Sequence, residues 1–229
     1  MNLEKQIYIR KSCRKYSAEE MDMKSIHDFM RSVKLLNEGI GYSYEILSID
    51  DVNNLARFSA PYYLAIYCDD KENHVDMGFI FQQLCLYLQS IDIGNCWVGM
   101  ASPKKRNSDF VISIAFGKSD DFTRSRDRFK RKELSEISDA EDERLIPAQL
   151  APSSINSQPW YFKHSKDGFD VYQVKPNFLK RQFVKKWNSI DVGIALAHLY
   201  VANEDTFEFF KKTSFEDIKG HTYVGSIKI

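Results

Sequence analysis

Two long apolar stretches dominate the hydropathy pattern, Val75 to Ile91 and Ile190 to Ala202, and each predicts a helix. Shorter apolar runs bounded by turn residues predict strands at Tyr42–Ile49, Pro61–Cys68, Trp97–Met100 and Phe110–Phe116. Further on, Trp160–Lys163 and Phe169–Val174 read as a hairpin around Asp167-Gly168, and Phe207–Phe210 and Tyr223–Ile229 as closing strands. Glu4–Ile9, Asp51–Phe58 and Glu141–Leu150 read as short helices. Another helix is predicted by the spacing of Met23, Ile26, Phe29, Met30 and Val33, with Ser17 as its N-cap and Glu20 completing a capping box. Residues Gly117 to Lys132 are densely charged and read as an exposed connection.

The pattern repeats. Val75-Asp76-Met77-Gly78 opens one long helix and Ile190-Asp191-Val192-Gly193 opens the other. Tyr44-Glu45-Ile46 and Trp160-Tyr161-Phe162 begin comparable strands at the same interval to within one residue, half the chain. Two landmarks agreeing on one period predict a duplication. The expected fold class is α+β, with antiparallel sheets and long core helices. Its halves are expected at residues 1–119 and 130–229, joined by a linker at 120–129.

Composition narrows the function. The 229 residues carry 32 Lys+Arg and 32 Asp+Glu, so no net field favours nucleic acid or an anionic membrane. No apolar run approaches membrane-spanning length, and the first residues lack the apolar core of a signal peptide. Cys13, Cys68, Cys85 and Cys96 show no metal or redox spacing, so a cytoplasmic setting is expected. The five histidines show no close ligand spacing, so no metal site is expected, and His198 reads as a core histidine.

Two segments carry candidate chemistry. Arg10-Lys11-Ser12, with Arg14, combines a planar guanidinium fork, a point charge and a hydroxyl, an anion site in type. Ala151-Pro152-Ser153-Ser154-Ile155-Asn156-Ser157-Gln158-Pro159-Trp160 sets hydroxyls, carboxamides and an indole in one helix-to-strand joint. Such a loop suits a flat heteroaromatic ligand with carbonyls and ring nitrogens on its edge. It equally suits an N-cap and Asx-turn cluster satisfying its own backbone. No Walker loop, Gly-x-Ser-x-Gly elbow or third glycine of a dinucleotide fingerprint is present.

These segments resemble signatures of the flavin-dependent nitroreductase family: the Arg-basic-Ser-x-Arg opening and the Ala-Pro-Ser-Ser-x-Asn-x-Gln-Pro-Trp loop. Ile91 to Gly99 is similar to the family's Gly-x-Gly-x-x-Trp-x-Gly segment, and Ile114-Ala115-Phe116-Gly117 to the strand that follows it. The resemblance implies bound FMN, reduced by NAD(P)H and reoxidised by a nitroaromatic, quinone or similar acceptor in a ping-pong cycle. A non-catalytic flavin store or sensor, and a scaffold without cofactor, are the rival readings. No side chain stands out as a general acid, so no catalytic residue is assigned.

The motif order departs from the usual member, in which both motifs lie close together and two copies dimerise around the flavins. Here they fall in different halves. The first half has Asn37-Glu38-Gly39-Ile40-Gly41-Tyr42 where the loop should be, and the second has Arg131-Lys132-Glu133-Leu134-Ser135 where the phosphate motif should be. The resemblance therefore implies a tandem-half pseudo-dimer with one live flavin site, acting as a monomer or weak homodimer. It assigns the phosphate to Arg10, Lys11 and Ser12, helped by Lys130 or Arg131. It assigns the flavin-facing loop to Pro152, Ser153, Ser154 and Asn156. Asn54 and Arg57 become a polar pair on one helix facing the ring, and Gly99 and Met100 lie beside it, while Gln158 and Trp160 hold loop and core.

Overall fold

The computed structural model describes residues 2–105, 107–176 and 187–229. The chain divides into two compact units, Met1–Arg128 and Phe129–Ile229.

The first unit contains α1 (Glu4–Ile9), α2 (Lys24–Met30), β1 (Tyr42–Ser48), β2 (Val52–Asn54) and β3 (Tyr62–Cys68). It continues with α3 (His74–Ser90), β4 (Ile93–Val98), β5 (Ala101–Pro103) and β6 (Phe110–Lys118). Four strands form an antiparallel sheet in the order β1-β3-β6-β4, and β2 pairs with β5 separately. Every residue of α3 from Asp76 to Gln89 is buried, as an apolar stretch without a polar face requires. Two of its glutamines are paired: Gln83 bonds both main-chain groups of Lys34, and Gln82 accepts the Trp97 indole N–H at 2.9 Å.

The second unit contains α4 (Leu134–Ile137), α5 (Ile146–Gln149), β7 (Trp160–Ser165), β8 (Gly168–Val174), α6 (Asn188–Ala202), β9 (Glu208–Phe210) and β10 (His221–Lys228). Its antiparallel sheet runs β7-β8-β10-β9. Gly168 ends the β7–β8 turn at φ +135°, a conformation that excludes a side chain. Residues Ile190 to Leu199 of α6 are all buried, and His198 bonds the Pro147 carbonyl at 2.9 Å. Within each unit the first two strands of the sheet lead into the long helix. The last strand then inserts between the second strand and the edge strand that follows the helix.

Local chemistry overrides several expectations. Ser17 bonds the Glu19 carboxylate instead of capping a helix, and α2 starts only at Lys24, whose N–H bonds Asp22 at 2.8 Å. Val33 lies beyond its end. Residues 51–58 are not a helix. Val52–Asn54 pairs with β5, and the Asn54 side chain accepts the Ala56 N–H at 2.9 Å and donates to the Phe58 carbonyl at 2.7 Å. That local bonding competes with a helical ladder and wins. Residues 141–150 break into a 3-10 turn and α5, because Pro147 fits only a first helical turn. Trp97–Met100 is not one strand: β4 stops at Val98 and Gly99-Met100 turn into β5. Residues 122–124, expected in a free connection, pair with the end of α1.

Candidate flavin site

The Arg10 segment is fixed from both sides. Lys11 N–H bonds the Phe122 carbonyl at 2.9 Å, and Arg124 N–H bonds the Ile9 carbonyl at 2.8 Å. Cys13 N–H bonds the Asn95 carbonyl at 2.9 Å, and a Cβ on Gly94 would stand 2.7 Å from the Cys13 sulfur. Only glycine lets this segment lie so close to β4.

Arg10 is 4% exposed. Its Nη2 donates to the Ser12 hydroxyl at 3.2 Å, and its Nη1 has no partner among the described residues. Burial, then the neighbouring Arg124, lowers its pKa to about 10. Among the described residues, the other groups acting on it are the Cys85 and Cys96 thiols and Arg14, with no carboxylate among them. Arg124 donates Nε–H to the Arg10 carbonyl at 3.1 Å. A buried guanidinium beside other cations and without a counter-ion is costly unless an anion completes it. Lys11 differs, since its ammonium is ion-paired with Asp121. Sequence reasoning placed Arg124 in a linker, and no motif spacing pointed to it.

A second group of expected residues also meets in this unit. Asn54 stands opposite Ala101, and Leu55 N–H bonds the Met100 carbonyl at 2.9 Å. Leu55 and Met100 are 76% and 60% exposed. Asn54 is not on a helix with Arg57; its amide is committed to Phe58 and Tyr63, while Arg57 is exposed on the following loop.

In the second unit, the loop 151–159 is stitched to residues 130–132. Arg131 donates to the Asn156 side-chain oxygen at 2.7 Å and to the Leu150 carbonyl at 3.2 Å. Asn156 returns an amide bond to the Lys130 carbonyl at 2.9 Å. Lys132 N–H bonds the Gln158 side chain at 2.9 Å, and its ammonium bonds the Gln158 carbonyl at 3.0 Å. Arg131, expected as a phosphate helper, thus also braces the loop. Ser153 Oγ accepts the Gln158 N–H at 2.9 Å, and Pro152 is half-buried. Ile155, Asn156 and Gln158 have φ of +46°, +58° and +46°. Left-handed backbone at non-glycine residues, one of them β-branched, persists only where surroundings impose it.

Comparison with known proteins decides the family. Residues 2–203 match the family model described as "Putative TM nitroreductase". The chain belongs to this nitroreductase family. As a member it is an oxidoreductase. The fold is shared with a structure described as a "putative nitroreductase" of Thermotoga maritima MSB8, at 21% identity and TM-score 0.66, over 93% of this chain and 91% of that one. A nitroreductase family protein of Clostridium difficile 630 is similar at 16% identity over 62% of this chain and 97% of that one, TM-score 0.47. A structure described as a "putative nitroreductase in complex with FMN", from Desulfovibrio desulfuricans, is similar at 16% identity over 61% of this chain and 96% of that one, TM-score 0.45. No curated protein matches the chain. Among the described residues, no helix is long and apolar enough to cross a membrane, and no group of three or more His, Cys, Asp or Glu could hold a metal ion.

Proposed function

We propose that this nitroreductase-family chain is two fused half-domains, a pseudo-dimer arisen by duplication, that bind one FMN per chain. The shared strand order of the two sheets supports the duplication. The buried, uncompensated Arg10 carries the FMN reading: its orphan Nη1 and the flanking Arg14 and Arg124 suit a phosphate dianion. Bound there, FMN would supply hydride-transfer chemistry between NAD(P)H and a nitroaromatic, quinone or similar acceptor.

The chain's own residues bind and orient. Arg10 and Ser12 hold the phosphate, with Lys11 secondary because Asp121 already neutralises it. Pro152, Ser153 and Ser154 present the loop to the flavin, while Asn156, occupied by Arg131 and Lys130, sets its shape. Gly99, Met100 and Arg57, on turns of the first unit, would be the residues offered to the ring.

Titration of the ligand-free chain with FMN, read by fluorescence quenching, tests this. A stoichiometry of one is expected, with bleaching by NAD(P)H under anaerobic conditions and recovery on adding a nitroaromatic. Arg10→Met should weaken FMN binding about 10- to 100-fold, the worth of a charged hydrogen bond. The ligand-free variant should melt no lower, since a buried unpaired charge is gone. Absence of FMN binding by the wild-type chain overturns the reading.

A further inference from the structure

Asp191 lies in the first turn of α6, buried at 4% exposure. Both of its oxygens stand 3.1 Å from the Ser154 main-chain nitrogen. The Ser157 hydroxyl is alongside, and burial pushes the carboxyl well above the usual carboxylate range against the pull of these two donors. Among the described residues, no Lys or Arg is among the groups acting on it. A hydrophobic residue would suit this place in an apolar helix, so a carboxyl here is an expense in stability that some other gain must offset.

The gain is visible one residue on. Ile155 is 69% exposed, so no packing of its side chain imposes its φ of +46°. The restraints on the turn include the clasp of Arg131 and Lys130 on Asn156, downstream, and the hold of Asp191 on Ser154, upstream. Asp76 occupies the matching place in α3, where its Oδ1 accepts the Asn37 N–H at 3.2 Å and the Asn37 amide at 2.9 Å. The loop it anchors, residues 37–41, has its left-handed backbone only at Gly39. The same anchor thus holds a relaxed loop in one unit and a strained one in the other.

We infer that Asp191 is a positioning residue for the flavin loop: gripping the Ser154 N–H from α6, it holds Ser153–Asn156 in a left-handed turn that the sequence alone disfavours. The inference rests on the reading of that loop as flavin-facing. Without the grip, the turn relaxes and only a fraction of molecules presents the binding conformation, so apparent affinity falls by that fraction.

The test pairs Asp191→Leu with Asp76→Leu in the full chain. Both remove a buried acceptor from the same position of a long helix. Asp191→Leu should raise the FMN dissociation constant about tenfold or more, and hydrogen exchange should lose protection at 153–157 in the ligand-free chain. Asp76→Leu should lower the melting temperature and leave FMN affinity unchanged. Adding Ile155→Gly, which makes the left-handed turn intrinsically accessible, should return the Asp191→Leu chain towards wild-type affinity. Unchanged affinity in folded Asp191→Leu, or equal weakening by Asp76→Leu, overturns the inference. Should Asp191→Leu fail to fold alone, the Asp191→Leu/Ile155→Gly chain decides: affinity still weakened there overturns it. If the wild-type chain binds no FMN, the flavin reading fails, and exchange at 153–157 still reports whether Asp191 holds the turn.

Discussion

The two units build one plan with different loads. In each, a joint precedes the first strand of the sheet and is tied to an aspartate at the head of the long helix. The first unit's joint relies on glycine for its left-handed residue, while the second forces three non-glycine residues there and braces them with Arg131 and Lys132. The anchor therefore does not specify the job. What differs is the strain it supports, which in the second joint is held in place by several independent bonds.

The largest contrast should lie in the first strands. Trp160 on β7 is fully buried, whereas its counterpart Tyr44 on β1 is partly exposed. Trp160→Ala should cost about 3–5 kcal/mol in denaturant unfolding, and Tyr44→Ala clearly less. Equal losses would mean the strands do not correspond. A smaller contrast concerns the loops. Ile155→Gly should stabilise the ligand-free chain by about 1 kcal/mol by relieving the left-handed residue. Gly39→Ala should destabilise it by about 1 kcal/mol, for backbone reasons alone, since nothing lies within 4 Å of the added carbon.

The smallest contrast is electrostatic and has no counterpart on β1. His164 on β7 bonds Asp139 at 2.7 Å and Asp142 at 3.1 Å, and Arg144 clasps Asp142. The Asp139 bond foremost, then Asp142, raises the imidazole pKa. Asp142 is held low by Arg144 first and His164 after, and Asp139 is lowered by His164 despite burial. The histidine's contribution is complete below its ordinary value of about 6.5 and lost as pH rises through the raised one. The carboxylates' contributions are complete above about 4 and lost as pH falls through their depressed values. His164→Gln should therefore lower the melting temperature between about pH 4 and 6.5 and converge with wild type at higher pH. The groups are part-exposed, so the effect should stay below about 1 kcal/mol.

Much of this plan was legible in the order of residues. Val75–Ile91 and Ile190–Ala202 are apolar all round, and burial decides such stretches without help from their surroundings. The hairpin followed from Asp167-Gly168. Where side chains bond their own backbone, the pattern misled: Asn54 turns an apparent helix into a strand and bend, and Ser17 spends its hydroxyl on Glu19. At the candidate site, Arg10 was legible as part of an anion-type motif, but its burial beside Arg14 and Arg124 was not. Nor was the pairing of Lys11 with Asp121, because that contact spans most of the first unit's length. Asp191 appeared only as a landmark of repetition; its bond to Ser154 joins segments that no local pattern relates.

The stitching of residues 130–132 to the loop has a practical side. A fragment of the second unit cut to begin at Leu134, where its first helix starts, would look complete by secondary structure. It would discard the guanidinium under Asn156 and both bonds to Gln158. Its most distinctive turn would have lost its floor, so the latest safe cut falls just upstream of Lys130.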